Sequence, residues 1–133
     1  MDNRGFSLVE LLIVILILAV LTGIAIPAYY LLTARARETA TELEMANIAK
    51  ALEIYNSDKQ SYPSSEEYPD ILTDNDYMKS VPGLDAWESG YNYSSVDGTS
   101  YTLNSKGMDK INGNSDDITI SNGVFTSYGI YSN

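Results

Sequence analysis

The sequence has no cysteine and no histidine. The first absence removes disulfides and thiol chemistry. The two together remove the usual zinc and haem ligands and every catalytic triad built on histidine or a cysteine nucleophile. Basic residues are scarce: 8 Lys and Arg stand against 18 Asp and Glu, a net charge of −10 with a pI near 4.1. Such a polyanion is repelled by a nucleic-acid backbone, so no nucleic-acid partner is expected. Internal repeats and low-complexity tracts are absent too. The 11 tyrosines read as half-buried covering surface, the usual place for an amphipathic ring, and not as special chemistry. A length of 133 residues allows one small domain beyond a membrane segment.

Charge is also missing locally. From Phe6 to Tyr30 the single charged residue is Glu10. A run of roughly 20 apolar residues is enough to cross a bilayer as a helix. A carboxylate within it costs about 2.5–3.5 kcal/mol on insertion scales, so a cationic partner for Glu10 is expected in the working state. The order of elements is wrong for a secretory signal, whose small-residue cleavage site follows the apolar run. Here the basic leader and Gly5-Phe6 precede it, so cleavage at that point leaves the hydrophobic helix on the mature chain. An ammonium freed inside lipid needs a carboxylate, and Glu10 is the one within reach of a helical turn.

Arg4-Gly5-Phe6-Ser7-Leu8-Val9-Glu10 and the run after it resemble the N-terminus of type IV pilins and of the pseudopilins of type II secretion. The resemblance implies that a membrane-bound prepilin peptidase cuts after Gly5 and methylates the new Phe6 amine. It implies that Glu10 neutralises that amine, its own or a neighbouring subunit's, as subunits stack into a fibre. It divides the chain into a leader at residues 1–5, a transmembrane and assembly helix at 6–31, and a soluble head at 32–133 that keeps the second half of the long helix. Arg4 lies on one side of the apolar run and Arg35 and Arg37 on the other, so the positive-inside rule is nearly balanced. The resemblance, not the charge count, puts the head outside the cytoplasm.

Pro27 has no N–H for the carbonyl of Gly23, so a kink or a locally unwound turn is expected there. It reads either as a tolerated membrane-helix proline or as a compliant joint for assembly. Met45, Ile48, Ala49, Leu52 and Tyr55 recur on one helical face, and the pattern carries the helix to about Ser57. Leu43 and Ile54 lie off that face; a free monomer exposes them and a packed fibre buries them. Pro63 stops the helix, and residues 61–69 read as loop. A short helix is expected around Asp70–Lys79. Alternation at Tyr91–Tyr93, Tyr101–Leu103 and Ile118–Ile120 signals strands, and Asn122-Gly123 signals a two-residue hairpin between Ile118–Ser121 and Val124–Thr126. The expected fold is α+β: a long N-terminal helix whose outer half packs on a small antiparallel sheet.

Further stretches narrow the resemblance to the major pseudopilin of type II secretion. They are Ala51–Tyr55, Tyr62-Pro63, Pro82–Trp87, Gly90–Tyr93, Leu103–Asp109 and Asp116–Ile118. The departures are Ala86-Trp87 where the family has proline–tryptophan, Ser89 before Gly90, and a longer tail from Thr119 to Asn133 with its own hairpin. In that family the loop between Leu103 and Ile118 binds calcium. Read without the family, Asp109, Asp116 and Asp117 sit among glycine, asparagine and serine, oxygen-rich as calcium requires, although not in the order of an EF-hand. A solvated acidic turn is the plainer alternative. The expected ligands are the side chains of Asp109, Asp116 and Asp117 and the carbonyls of Leu103 and Ser105.

The expected function is structural: a subunit that polymerises into a type II secretion pseudopilus, a periplasmic fibre that drives protein export. The alternative is the major subunit of a type IV pilus, whose surface fibre serves adhesion or motility; the lack of cysteine favours the first, because many pilins close a C-terminal loop with a disulfide. Expected partners are further copies of the chain, the prepilin peptidase, minor pseudopilins, the inner-membrane assembly platform and, before assembly, membrane lipid. No enzyme is expected: carboxylates such as Asp116 and Asp117 would have to cooperate, and neighbours on a strand face opposite ways.

Overall fold

A computed structural model describes residues 5–131; most of the leader, with Arg4, and the last two residues lie outside that range. One helix, α1 (Leu8–Lys59), contributes to two compact units that divide between Thr33 and Ala34. In the first unit every residue from Gly5 to Leu32 is exposed. The helix continues through Pro27, so the expected unwound turn is not formed. Proline removes one N–H from the ladder, and the turns on either side keep theirs. The hydroxyls of Thr22 and Thr33 donate to the carbonyls of Leu18 and Tyr29, 2.7 and 2.8 Å away, so neither adds an unsatisfied polar group to the apolar surface.

In the second unit α1 turns Met45, Ile48, Ala49, Leu52 and Tyr55 inward, the face expected from their spacing, while Leu43 and Ile54 are exposed. Gln60, at φ 59°, ends the helix after Lys59, two residues beyond the expected stop. The following loop is ordered at Ser64, whose N–H donates to Glu67 Oε2 at 2.9 Å while Glu67 N–H donates back to Ser64 Oγ at 3.3 Å. The Ser64 N–H and the Ser64 hydroxyl, both donating to Glu67 Oε2 at 2.9 Å, hold the Glu67 carboxyl below its usual range. The second helix, α2 (Asp70–Asp74), is half the expected length. Its end carries Asn75, whose side chain donates to the carbonyl of Ile71, and Asp76 at φ 60°. Short polar side chains that bond the backbone compete with helix continuation.

Four strands follow: β1 (Asn92–Val96), β2 (Ser100–Ser105), β3 (Ile118–Ser121) and β4 (Val124–Tyr128). They form one antiparallel sheet in the order β1-β2-β3-β4. Tyr93 pairs with Leu103, Leu103 with Ile120, and Ile120 with Phe125, placing a row of apolar side chains on one face. That face joins the inward face of α1, Leu72 of α2 and Trp87 in a single core. Asn122 and Gly123 both have positive φ, the type I′ geometry that two-residue hairpins prefer, so the expected hairpin is formed. A bulge in β4 separates the pairs Thr119–Ser127 and Ile120–Phe125.

The tyrosines do more than cover surface. Tyr55, Tyr62 and Tyr101 are buried; Tyr62 lies edge-on to Tyr101, and Tyr68 stacks on Tyr93 with centroids 4.2 Å apart. Tyr62 donates to Glu53, Tyr91 to Glu44, and Tyr93 to the carbonyl of Pro63. Burial raises the pKa values of Tyr68, Tyr91 and Tyr101, and pushes Tyr93 up to about 12.

Candidate functional site

Two places carry the expected site residues. At the first, Gly5 and Phe6 are exposed and lie ahead of the helix, with open space around Gly5. The Gly5–Phe6 bond therefore lies outside the helix and is exposed. Glu10 sits in the first turn of α1, and its Oε2 accepts the N–H of Ser7 at 2.9 Å, while Val9 N–H donates to Ser7 Oγ at 3.4 Å. Glu10 thus reaches back to the Ser7 amide and Ser7 reaches forward to the Val9 amide, a variant of the Ser-x-x-Glu cap in which Val9 N–H takes the place of Glu10 N–H. The signal for this cap was in the sequence, as Ser7 three residues before Glu10. It sets the Glu10 carboxylate beside the Phe6–Ser7 peptide. From Leu8 onward α1 is long and apolar enough to cross a membrane.

The second place is the loop from Lys106 to Asp117. Asp116 and Asp117 are buried and Asp109 is exposed. Each carboxylate takes its own set of donors. Asp116 Oδ2 accepts Asp109 N–H at 3.0 Å. Asp117 Oδ2 accepts the N–H groups of Gly113 and Asn114. Asp109 Oδ1 accepts Ile111 N–H at 2.7 Å, and its Oδ2 accepts the Asn114 side-chain amide at 2.6 Å. The loop closes on Gly107, where φ is +63° and a Cβ would lie 2.1 Å from the Asp116 carbonyl oxygen. Asp116 and Asp117 precede β3 and do not lie on a strand, so what separates their roles is these different amide partners and not opposite sheet faces.

Asp109 and Asp116 are linked directly, whereas Asp117 faces the tip of the loop. Among the described residues no three acidic side chains converge closely enough to hold a metal ion by themselves. Leu103 lies in the middle of β2, paired with both Tyr93 and Ile120. Ser105 ends that strand, and its hydroxyl donates to Asp85 at 2.6 Å. One observation speaks for a ligand: Asp117 Oδ1 is buried without any donor. A buried acceptor left unpaired is costly, and an oxygen-only donor set suits a hard cation.

Three buried polar residues were not singled out from the sequence. Asp85 Oδ1 accepts the N–H groups of Trp87 and Ser89, both at 2.9 Å, and so shapes the turn that buries Trp87. Thr41 Oγ1 accepts Ala86 N–H, joining that turn to α1. Glu38, 2% exposed, faces the C-terminal segment. An Asp two residues before Trp and four before Ser was the available signal for the first; nothing in the local sequence marks the other two.

Comparison with known proteins agrees with this anatomy. The profile described as "Prokaryotic N-terminal methylation motif" matches residues 1–26, and that of "Type II secretion system (T2SS), protein G" matches residues 30–123. The "Type II secretion system core protein G" of Pseudomonas aeruginosa is 30% identical over 130 residues, covering 86% of this chain and 90% of its own. The protein of the same name from Aeromonas hydrophila is 27% identical over 67% of this chain and 71% of its own. The "Type IV wide pilus major component PilA4" of Thermus thermophilus is 38% identical, but only over 49% of this chain and 50% of its own. No solved structure matches. With an N-terminal methylation motif on an exposed apolar helix and a head matched through most of its sheet, the chain belongs to the type II secretion system protein G family.

Proposed function

We propose that the chain is a non-enzymatic subunit of a type II secretion pseudopilus. It is anchored in the inner membrane by Phe6–Leu31 with its head in the periplasm, and polymerises with copies of itself into a fibre that drives protein export. The observation that carries this reading is the pairing of a fully exposed apolar helix with a self-contained head in a protein G family chain. The likeness to the Thermus pilin covers 49% of this chain, whereas the protein G relative from Pseudomonas covers 86% of this chain and 90% of its own. Prepilin peptidase removes the leader after Gly5 and methylates Phe6. Glu10, already turned toward the start of the helix by its bond to Ser7, neutralises the Phe6 amine of its own or a neighbouring subunit. Minor pseudopilins and the inner-membrane assembly platform are the further partners.

We also infer that the acidic loop holds one calcium ion. Asp109, Asp116 and Asp117 supply carboxylates, with the unpaired Asp117 Oδ1 as the best-supported ligand atom and the carbonyls of Leu103 and Ser105 as candidates. When bound, the ion offsets the mutual repulsion of three carboxylates and the ordering cost of a loop with few apolar side chains.

Mass spectrometry of isolated fibres tests the assembly reading. The expected subunit begins at methylated Phe6, and Glu10→Ala is inserted and processed but yields few or no fibres. A mature chain that begins at Met1, or normal fibre yield from Glu10→Ala, overturns it.

A further inference from the structure

Among the described residues Glu38 is a carboxylate that belongs to no ion pair. It is 2% exposed, and among the described residues the one ion pair is Lys59 with Asp58. Burying an unpaired carboxylate is expensive unless hydrogen bonds satisfy it. Here both oxygens are taken by consecutive backbone amides of the C-terminal segment: Oε2 accepts Ile130 N–H at 3.2 Å and Oε1 accepts Tyr131 N–H at 2.8 Å. Successive amides turned toward one anion form a concave nest, and hydrogen bonds to a charged acceptor are the stronger kind. The residue ahead of the nest is fitted to it. Gly129 has φ +84°, and a Cβ there would lie 2.7 Å from Glu38 Cδ. The contact joins residues 92 and 93 positions apart, and it lies beyond residue 123, where the match to the protein G profile ends.

We propose that Glu38 is an internal receptor for the segment Gly129–Tyr131, a carboxylate clasp that ties the last part of the described chain back to α1 and closes the head without a covalent link. The clasp recognises two adjacent backbone N–H groups preceded by a residue without a side chain. It fixes the far end of β4, whose near end is fixed by the Asn122-Gly123 hairpin. Through β4 it also reaches the acidic loop, because Ser127 Oγ donates to the carbonyl of Asp117 at 2.7 Å. Glu38 is a positioning residue for the C-terminal segment, and its role does not depend on whether the loop binds calcium.

Amide hydrogen exchange on the full-length chain in detergent micelles tests the clasp. In the wild type the Ile130 and Tyr131 amides should be protected. In Glu38→Ala both should lose that protection while the amides of Leu103 and Ile120 keep theirs, and Glu38→Gln, with one acceptor oxygen in place of two, should lose part of it. If Glu38→Ala unfolds the head, Ile130→Pro decides, since it removes one donor at a half-exposed position and leaves Glu38 in place; protection at Tyr131 should then fall. Unprotected Ile130 and Tyr131 in the wild type overturn the proposal. So does full protection of both in a folded Glu38→Ala chain, or of Tyr131 in Ile130→Pro.

Discussion

The two units of this chain solve opposite problems with the same helix. Residues 5–32 present an apolar surface and bury none of it within the chain, whereas the head turns one face of α1 and one face of its sheet into a single core. Apolar area left in water is unfavourable at roughly 25 cal/mol per Å². The first unit is therefore complete only against lipid or neighbouring helices, while the head is complete alone. Folding and assembly are thus separable here, residue by residue, along one continuous α-helix.

Paired leucine substitutions give the sharpest way to break that separation. Leu103→Ala, at a position with no exposure, should lower the stability of the head by about 2–5 kcal/mol. Leu16→Ala, exposed in the anchor, should leave head stability within about 0.5 kcal/mol. Trp87 is the single tryptophan and is buried in the head, so its fluorescence during thermal unfolding of the full chain reads the head alone. An equal loss in both variants would show that the two units are energetically coupled.

Calcium should sharpen the contrast from the side of the head. At a hundredfold excess over its dissociation constant, an ion bound only by the folded state adds about 2.7 kcal/mol. The Trp87 transition should move to higher temperature in calcium than in chelator, and Asp116→Ala should remove most of that difference. Identical transitions would leave the loop held by its amide–carboxylate bonds alone.

The smallest effect expected is a pH limit confined to the head. Tyr93 and Tyr101 have pKa values raised by burial, to about 12 for Tyr93. A group whose pKa is higher folded than unfolded contributes stability in full below its unfolded value, near 10, and loses it as pH rises through the folded value. Phenolate absorbance should therefore show Tyr93 and Tyr101 ionising only above about pH 10, together with loss of the Trp87 signal. Ionisation of Tyr93 and Tyr101 near the ordinary tyrosine value would contradict the packed aromatic core.

How much of this was legible depended on whether a residue's neighbours in sequence are also its neighbours in space. The anchor, the inward face Met45–Tyr55 and the Asn122-Gly123 hairpin are local patterns, and each is where its spacing put it. The long helix past Pro27 was legible, but the unwound turn offered as one outcome there is not formed, because a proline signals the bond it removes and says nothing of the turns that survive around it. The length of α2 was overestimated because Asn75 and Asp76 favour turns through side-chain bonds that periodicity ignores. Glu38 was invisible for a different reason. A carboxylate reads as solvent-facing until its amide partners are known, and those of Glu38 come from the other end of the chain. At the acidic loop the residue types were legible, but the division of their oxygens among separate amides was not.

The sheet's two edges bear on how a chain of this kind can go wrong. A protein expressed at fibre-forming concentrations risks a second, unwanted polymerisation, strand against strand, wherever an edge offers a straight row of free amides. Here one edge is β1, where the Ser65 hydroxyl accepts the N–H of Ser95. The other is β4, whose bulge breaks the regular spacing that an incoming strand would have to match. Straightening β4 by deleting Thr126 would trade a subunit that stacks through its helix for one prone to aggregate through its sheet.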